Sequence, residues 1–178
     1  MLASYDSGEA NKMFQLFTRE LGVVRAHAQG IRKLSSKLRF ALQTYSILQV
    51  TLVRGRYGWR ITNALPIENV YTELPPPNRY IFLRIVSLII RLIQGEERDP
   101  ELYDLTISAY ADLKAPLSAL ERRSLEILTV ARILMHLGYL GDSARALLTI
   151  EGDDLALPPA IETKLLSHVN KALTSTQL

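Results

Sequence analysis

The chain has 178 residues, 48% apolar and 22% charged, which fits one ordinary domain or two small ones and excludes a disordered tail or a collagen-like repeat. It contains no cysteine, which removes both a disulfide framework and a thiolate zinc site. The net charge of +3 is uneven: residues 1–63 hold ten lysines and arginines against three acids, a net of +7, and residues 64–178 come to −4.

No acid occurs between Leu21 and Ile67. Such asymmetry points to a polyanionic partner for the first half of the chain. The start lacks the basic stretch and long apolar run of a secretory signal. The longest apolar run, residues 81–93, contains Arg84 and Arg91 and is shorter than the roughly 20 residues a bilayer span needs. A non-membrane protein is expected.

The first 65 residues read as β-structure. Residues 13–18 form an apolar run, Arg19-Glu20-Leu21-Gly22 makes a turn, and residues 23–29 alternate cleanly. Val24, Ala26 and Ala28 fall on a face to be buried, and Arg25, His27 and Gln29 on a wet one. Residues 31–43 lack period two; Leu34, Leu38, Ala41 and Leu42 are spaced as in a short helix or an ordered crossover. Residues 45–54 are the longest strand candidate, with Leu48, Val50 and Leu52 inward and Gln49 and Thr51 outward. Gly55-Arg56-Tyr57-Gly58 supplies hairpin chemistry, and residues 59–63 return.

Thr72-Glu73-Leu74-Pro75-Pro76-Pro77 is the strongest break and sets the expected domains at 1–72 and 73–178. Helices follow. Over residues 78–94 the polar positions Arg84, Ser87, Arg91 and Gln94 make one narrow stripe on an otherwise buried helix. Asp99-Pro100-Glu101 caps a helix to about Leu113, and Ser118-Ala119-Leu120-Glu121 has capping-box spacing for one ending before Gly138. Asp142 is read as the cap of a short helix to about Gly152. Pro158-Pro159 opens a last one with Ile161, Leu165, Leu166 and Val169 as its apolar stripe.

The residues give catalysis little support. His27, His136 and His168 lie on different elements without metal-ligand spacing, and no phosphate-binding glycine loop or nucleophile elbow occurs. Asp153-Asp154 reads as a solvated loop and His136 as a core histidine. No cofactor is expected. A twisted sheet with a basic wet face is instead the raw material of a strand-binding groove, in which cations follow the backbone and aromatic rings offer flat surfaces to bases. Arg25 on its strand, Arg32, Lys33, Lys37 and Arg39 on the connector, and Arg54, Arg56 and Arg60 at the hairpin are the phosphate candidates. Tyr57 is the stacking candidate; Trp59 reads equally as a core residue beside Ile61.

The segments Gly8-Glu9-Ala10-Asn11-Lys12, Phe17-Thr18-Arg19-Glu20-Leu21-Gly22, Ala26-His27-Ala28-Gln29-Gly30-Ile31-Arg32 and Ser35-Ser36-Lys37-Leu38-Arg39 resemble the RecO family of recombination mediators. Leu42-Gln43, Leu52-Val53-Arg54-Gly55-Arg56 and Trp59-Arg60-Ile61-Thr62 continue the likeness in the same order, and Leu134-Met135-His136-Leu137-Gly138-Tyr139 extends it weakly into the second half. The resemblance implies an α+β protein with an N-terminal OB-fold barrel and a C-terminal helical bundle. It also implies a bacterial, cytoplasmic, nucleoid-associated DNA-repair role without bond chemistry. Implied activities are binding of single- and double-stranded DNA, annealing, and loading of RecA with RecR onto DNA covered by single-stranded-DNA-binding protein. That protein's acidic C-terminal tail is an implied partner.

Two departures stand out. Some members carry a cysteine-ligated zinc after the Leu-Gly-Tyr segment, and residues 140–148 have no cysteine. Members also have a fuller stretch before the position of Leu2-Ala3-Ser4, so either a shortened first strand or a truncated start is expected. The alternative to the mediator is a protein-interaction module without DNA contact, in which Arg84, Arg91, Arg122 and Arg123 rim an apolar groove for an acidic peptide tail.

Overall fold

The computed structural model describes residues 1–7, 9–34, 36–93, 95–148 and 156–175. Gln94, the expected end near Gly152 of the helix candidate that starts at Asp142, and Asp153-Asp154 lie outside the described residues. The chain divides into two compact units: Met1–Leu74 with Ile93–Tyr103, and Pro75–Leu92 with Asp104–Leu178. A single cut at residue 72 therefore misses the return of Ile93–Tyr103 to the first unit.

The first unit is a five-stranded sheet of β1 (Ala3–Ser7), β2 (Asn11–Thr18), β3 (Gly22–Ala28), β4 (Ser46–Gly55) and β5 (Gly58–Asn69), with the four-residue helix α1 (Leu38–Ala41) between β3 and β4. The strand order is β1-β2-β3-β5-β4. All neighbours are antiparallel except β3 and β5, which run parallel through Ala26↔Trp59 and His27↔Arg60. This is the partly open Greek-key barrel of an OB-fold. β1 is short, and the open side between it and β4 is bridged at Met1, whose carbonyl accepts from the Tyr45 N–H at 3.0 Å and whose nitrogen donates to the Ser46 carbonyl at 2.7 Å.

The alternation in β3 sets the inside. Val24, Ala26 and Ala28 join Phe14, Leu16, Ile31, Ala41, Leu42, Ile61 and Ala64 in the barrel core, with Leu48, Val50, Leu52 and Trp59 packed against it. Two small alanines on β3 leave room for Phe14 and the Trp59 ring, a large-against-small fit that keeps the interior dense. β5 runs six residues past its expected end, through Asn63 to Asn69, because Ser46–Thr51 of β4 pair with that stretch. Bulges at Ile47/Leu48 and Thr51/Leu52 bend the pair as barrel curvature requires. The expected helix over residues 31–43 shrinks to Leu38–Ala41, so Leu34 is not part of an inward stripe; it is 87% exposed.

The outer face of β2–β3 is also not uniformly wet. At its turn end Phe17 meets Tyr103 edge to face at 5.4 Å, and Gly22 lies under the Glu97 backbone. Gly22 has φ of +66°, and a Cβ placed there would lie 1.9 Å from the Glu97 carbonyl oxygen. Gly58 (φ +102°) has nothing within 4 Å of such a Cβ. Gly22→Ala is therefore expected to destabilise the first unit by about 3 kcal/mol, combining left-handed backbone strain with overpacking. Gly58→Ala meets strain alone, at about 1 kcal/mol. Urea unfolding followed by Trp59 emission checks this; equal costs would mean that residues 93–103 are not seated on Gly22.

The second unit comprises α3 (Pro76–Leu92), the body of α4 (Pro100–Asp112), α5 (Ala119–His136), α6 (Asp142–Leu148) and α7 (Pro159–Ser175); the single turn α2 (Val70–Glu73) precedes it. The local signals hold. Asp99 Oδ1 accepts from the Leu102 N–H, Ser118 and Glu121 form a reciprocal capping box, and Gly138 takes φ of +79° after α5. The Ser118 bonds hold the Glu121 carboxyl below the usual carboxylate range. For α6 the cap is Gly141, whose carbonyl accepts from Ala144 and Arg145; Asp142 is inside the first turn. Buried Ile127, Leu128, Ala131 and Leu134 of α5 pack with Leu165, Val169 and Ala172 of α7. Among the described residues no helix is long and apolar enough to cross a membrane.

Candidate nucleic-acid interface

The β4–β5 hairpin projects a short basic tip. Gly55 and Gly58 pair across it with Arg56 and Tyr57 between them, and Gly58, at positive φ, takes the glycine position that follows a type I turn in a three-residue hairpin loop. Nothing apolar packs over the tip, so Tyr57 is 84% exposed. The Arg56 guanidinium lies 5.7 Å from the Tyr57 ring centroid, and that of Arg54 lies 5.4 Å from the Trp59 ring. These cation–π contacts hold both guanidiniums beside flat apolar surfaces.

Below the tip is an open groove of about 350 Å³ lined by Asn11, His27, Gln29, Val53 and the hairpin from Gly55 to Arg60. The parallel β3–β5 pairing makes this groove: it sets His27 beside Arg60 and Ala26 beside Trp59. Trp59 is half-buried, packed on the barrel core and lining the groove at once. Its buried indole Nε1–H has no partner among the described residues.

A second cleft of about 250 Å³ is lined by Lys12, Ile31, Arg32, Arg39 and Leu42. The connector forms it because Ile31, Ala41 and Leu42 anchor into the barrel core and Leu38 packs against it, while Arg32, Lys33, Leu34, Lys37, Arg39 and Phe40 are exposed. Lys12 is 3.5 Å from Asp6.

Of the expected phosphate residues, Arg56 and Arg60 line the hairpin groove with Tyr57, and Arg54 flanks it on Trp59. Arg32 and Arg39 line the connector cleft. Lys33 and Lys37 are exposed on the same connector without lining it, and Arg25 is exposed on β3 two residues before His27. The sequence reading did not place Asn11, Lys12 or His27 among its phosphate and stacking candidates. The outward phase of β3 already carried His27; Asn11 and Lys12 come from a register that only the fold supplies.

The helical arginines are largely engaged within their own unit. Arg84 makes a bidentate contact with Glu126 at 2.5 and 2.6 Å, which raises the guanidinium pKa. Arg123 pairs with Glu162, and Arg122 donates to the Leu117 carbonyl. Arg91 is exposed on the α3 stripe with Tyr80, Arg84 and Ser87. No group of three metal-ligating side chains occurs among the described residues.

Residues 1–70 match the family model described as Recombination protein O N terminal. The matched segment spans the five strands from β1 to β5.

Proposed function

We propose, for a chain whose first domain is that of the RecO family of recombination and repair proteins, that it is a mediator without bond chemistry of its own. In this reading the barrel holds DNA strands along the hairpin groove and the connector. Arg32, Lys33, Lys37, Arg39, Arg54, Arg56 and Arg60 meet phosphate, Arg25 extends the charge along β3, and Tyr57 stacks on a base. The observation that carries the reading is the groove itself: cations and exposed aromatic surface converge where β3 and β5 run parallel, inside a segment without a single acid.

The chemistry fits a mediator better than an enzyme. Phosphate contacts and stacking are tolerant of sequence and quickly exchanged, which suits a protein that brings complementary strands together and then releases them. Binding of single and double strands, annealing, and loading of RecA with RecR onto DNA covered by single-stranded-DNA-binding protein are the activities that the family resemblance supports. A bacterial, cytoplasmic, nucleoid-associated setting goes with them. The acidic tail of the single-stranded-DNA-binding protein is the partner assigned to the helical domain. With Arg84, Arg122 and Arg123 bonded internally, Arg91 on the α3 stripe is the side chain best placed to meet it.

Anisotropy of a labelled poly-dT strand across a salt series tests the DNA reading. If about five cations meet phosphate, the log–log slope is expected near −3.5, from about −0.7 per contact on a single strand. A slope near zero would leave only the interaction-module alternative.

A further inference from the structure

The connector carries a feature that the phosphate contacts do not explain. Phe40 is 73% exposed and Leu34 87% exposed, on a segment whose other outward side chains are Arg32, Lys33, Lys37 and Arg39. The neighbours of Phe40 point the other way: Ala41 and Leu42 are buried in the core and Leu38 packs against it. The tight turn of α1 fixes this, because Phe40 is out of phase with Leu38, Ala41 and Leu42 on a helical wheel. The ring is thus held outward by a rigid anchor, next in sequence to Arg39 on the wall of the connector cleft.

The hairpin groove repeats the combination, an exposed Tyr57 beside cations. The two clefts are lined by neighbouring stretches of chain: Asn11 lines one and Lys12 the other, and Gln29 lines one while Ile31 and Arg32 line the other. Those stretches are tied together where the Gly30 N–H donates to Asn11 Oδ1 at 2.9 Å and the Arg32 N–H donates to the Ala10 carbonyl at 3.2 Å.

We propose that the two clefts form one continuous path for an unpaired strand, with Phe40 as a second base-stacking platform at the connector end and Tyr57 at the hairpin end. This rests on the DNA reading above and adds to it a preference for single strands. A paired base keeps its faces inside the duplex, so only an unpaired one can cover Phe40, whereas phosphate cations serve both forms. Charge complementarity favours a polyanion as the occupant, since the cleft's charged lining is Lys12, Arg32 and Arg39.

The test compares wild type, Phe40→Ala, Phe40→Trp and Arg39→Gln on labelled oligo-dT of about 6 and about 16 nucleotides, the range of OB-fold site sizes, and on a duplex. Phe40→Ala is expected to lose about tenfold on the longer strand, from stacking of about 1–3 kcal/mol per base, with an unchanged salt slope. Binding of the short strand and of the duplex stays within about twofold. Phe40→Trp retains affinity, and Arg39→Gln flattens the slope by about 0.7. Because Phe40 is exposed, a circular-dichroism melt unchanged from wild type confirms that folding is not the readout.

Wild-type binding with no loss in Phe40→Ala overturns the proposal and leaves the DNA reading standing. Equal losses on strand and duplex overturn it too, since stacking would spare the duplex. No binding by wild type defeats the DNA reading itself. Saturable binding of an acidic, apolar peptide that Phe40→Ala abolishes, with oligonucleotide affinity intact, would reassign the connector to a protein partner.

Discussion

Replacing Arg54, Arg56 and Arg60 together with glutamine is expected to weaken binding of a poly-dT strand by about 100-fold at about 0.1 M salt and to flatten the salt slope by about 2. The magnitude follows from counterion release. Each phosphate contact on a single strand contributes about 0.7 to the slope, so at a tenth of molar salt three contacts together contribute about two decades. All three arginines are exposed, and none lies in the barrel core, so the fold should be indifferent. The change also removes Arg54 from the Trp59 face and Arg56 from the Tyr57 ring, which lowers the intercept further. Triple lysine replacement separates the two effects: it keeps the charges and the slope while losing the planar guanidinium. Anisotropy over the same salt series reads both quantities. An unchanged slope in the glutamine variant would remove the hairpin from the DNA path and leave the connector cations to carry it.

Much of this interface was legible before the fold was known, because charge and period-two alternation are local properties. The acid-free run from Leu21 to Ile67, the outward phase of Arg25, His27 and Gln29, and the glycines bracketing Arg56 and Tyr57 all stand in the linear sequence. The capping box at Ser118 was legible for the same reason, since its partners are three residues apart. What could not be read is what depends on long-range register. Parallel pairing of His27 with Arg60 joins residues far apart in sequence, and it decides that hairpin and β3 share one groove. Extension of β5 to Asn69 depends on pairing with Ser46–Thr51 rather than on its own sequence, in which Pro66 argues against a strand. The connector misled for a related reason. Leu34 has helical spacing from Leu38, but α1 begins only at Leu38, so the periodicity that would bury Leu34 is never built. Likewise the pairing of Arg84 on α3 with Glu126 on α5, and of Arg123 on α5 with Glu162 on α7, joins residues on different helices and is fixed only by their packing.

The largest stability effect in the helical unit is expected at Asn78, which nothing in the sequence marks as special. It lies in the first turn of α3, is 1% exposed, and its Nδ2 donates to the Leu113 carbonyl at 2.6 Å and the Ala115 carbonyl at 3.0 Å. Those carbonyls follow the end of α4 at Asp112, where a helix runs out of N–H donors for its last acceptors. Pro116 makes the shortage worse, because it has no N–H to offer. One side-chain amide from α3 thus closes the C-terminal end of α4 and fixes the start of the loop that leads to Ser118. Asn78→Ala removes both bonds and leaves acceptors unsatisfied, at about 1–3 kcal/mol for each buried group, so a loss of about 3 kcal/mol is expected. For a unit of this size that lowers the melting temperature by roughly 10 °C or more. Asn78→Asp is expected to be worse than alanine at neutral pH, since an ionised carboxylate only accepts and would face two carbonyl oxygens. Urea unfolding followed by far-UV circular dichroism measures the helices, while emission from Trp59, the single tryptophan, reports the first unit separately. A loss under about 0.5 kcal/mol, the range of ordinary surface substitutions, would mean that water or another donor serves the α4 end as well as Asn78 does.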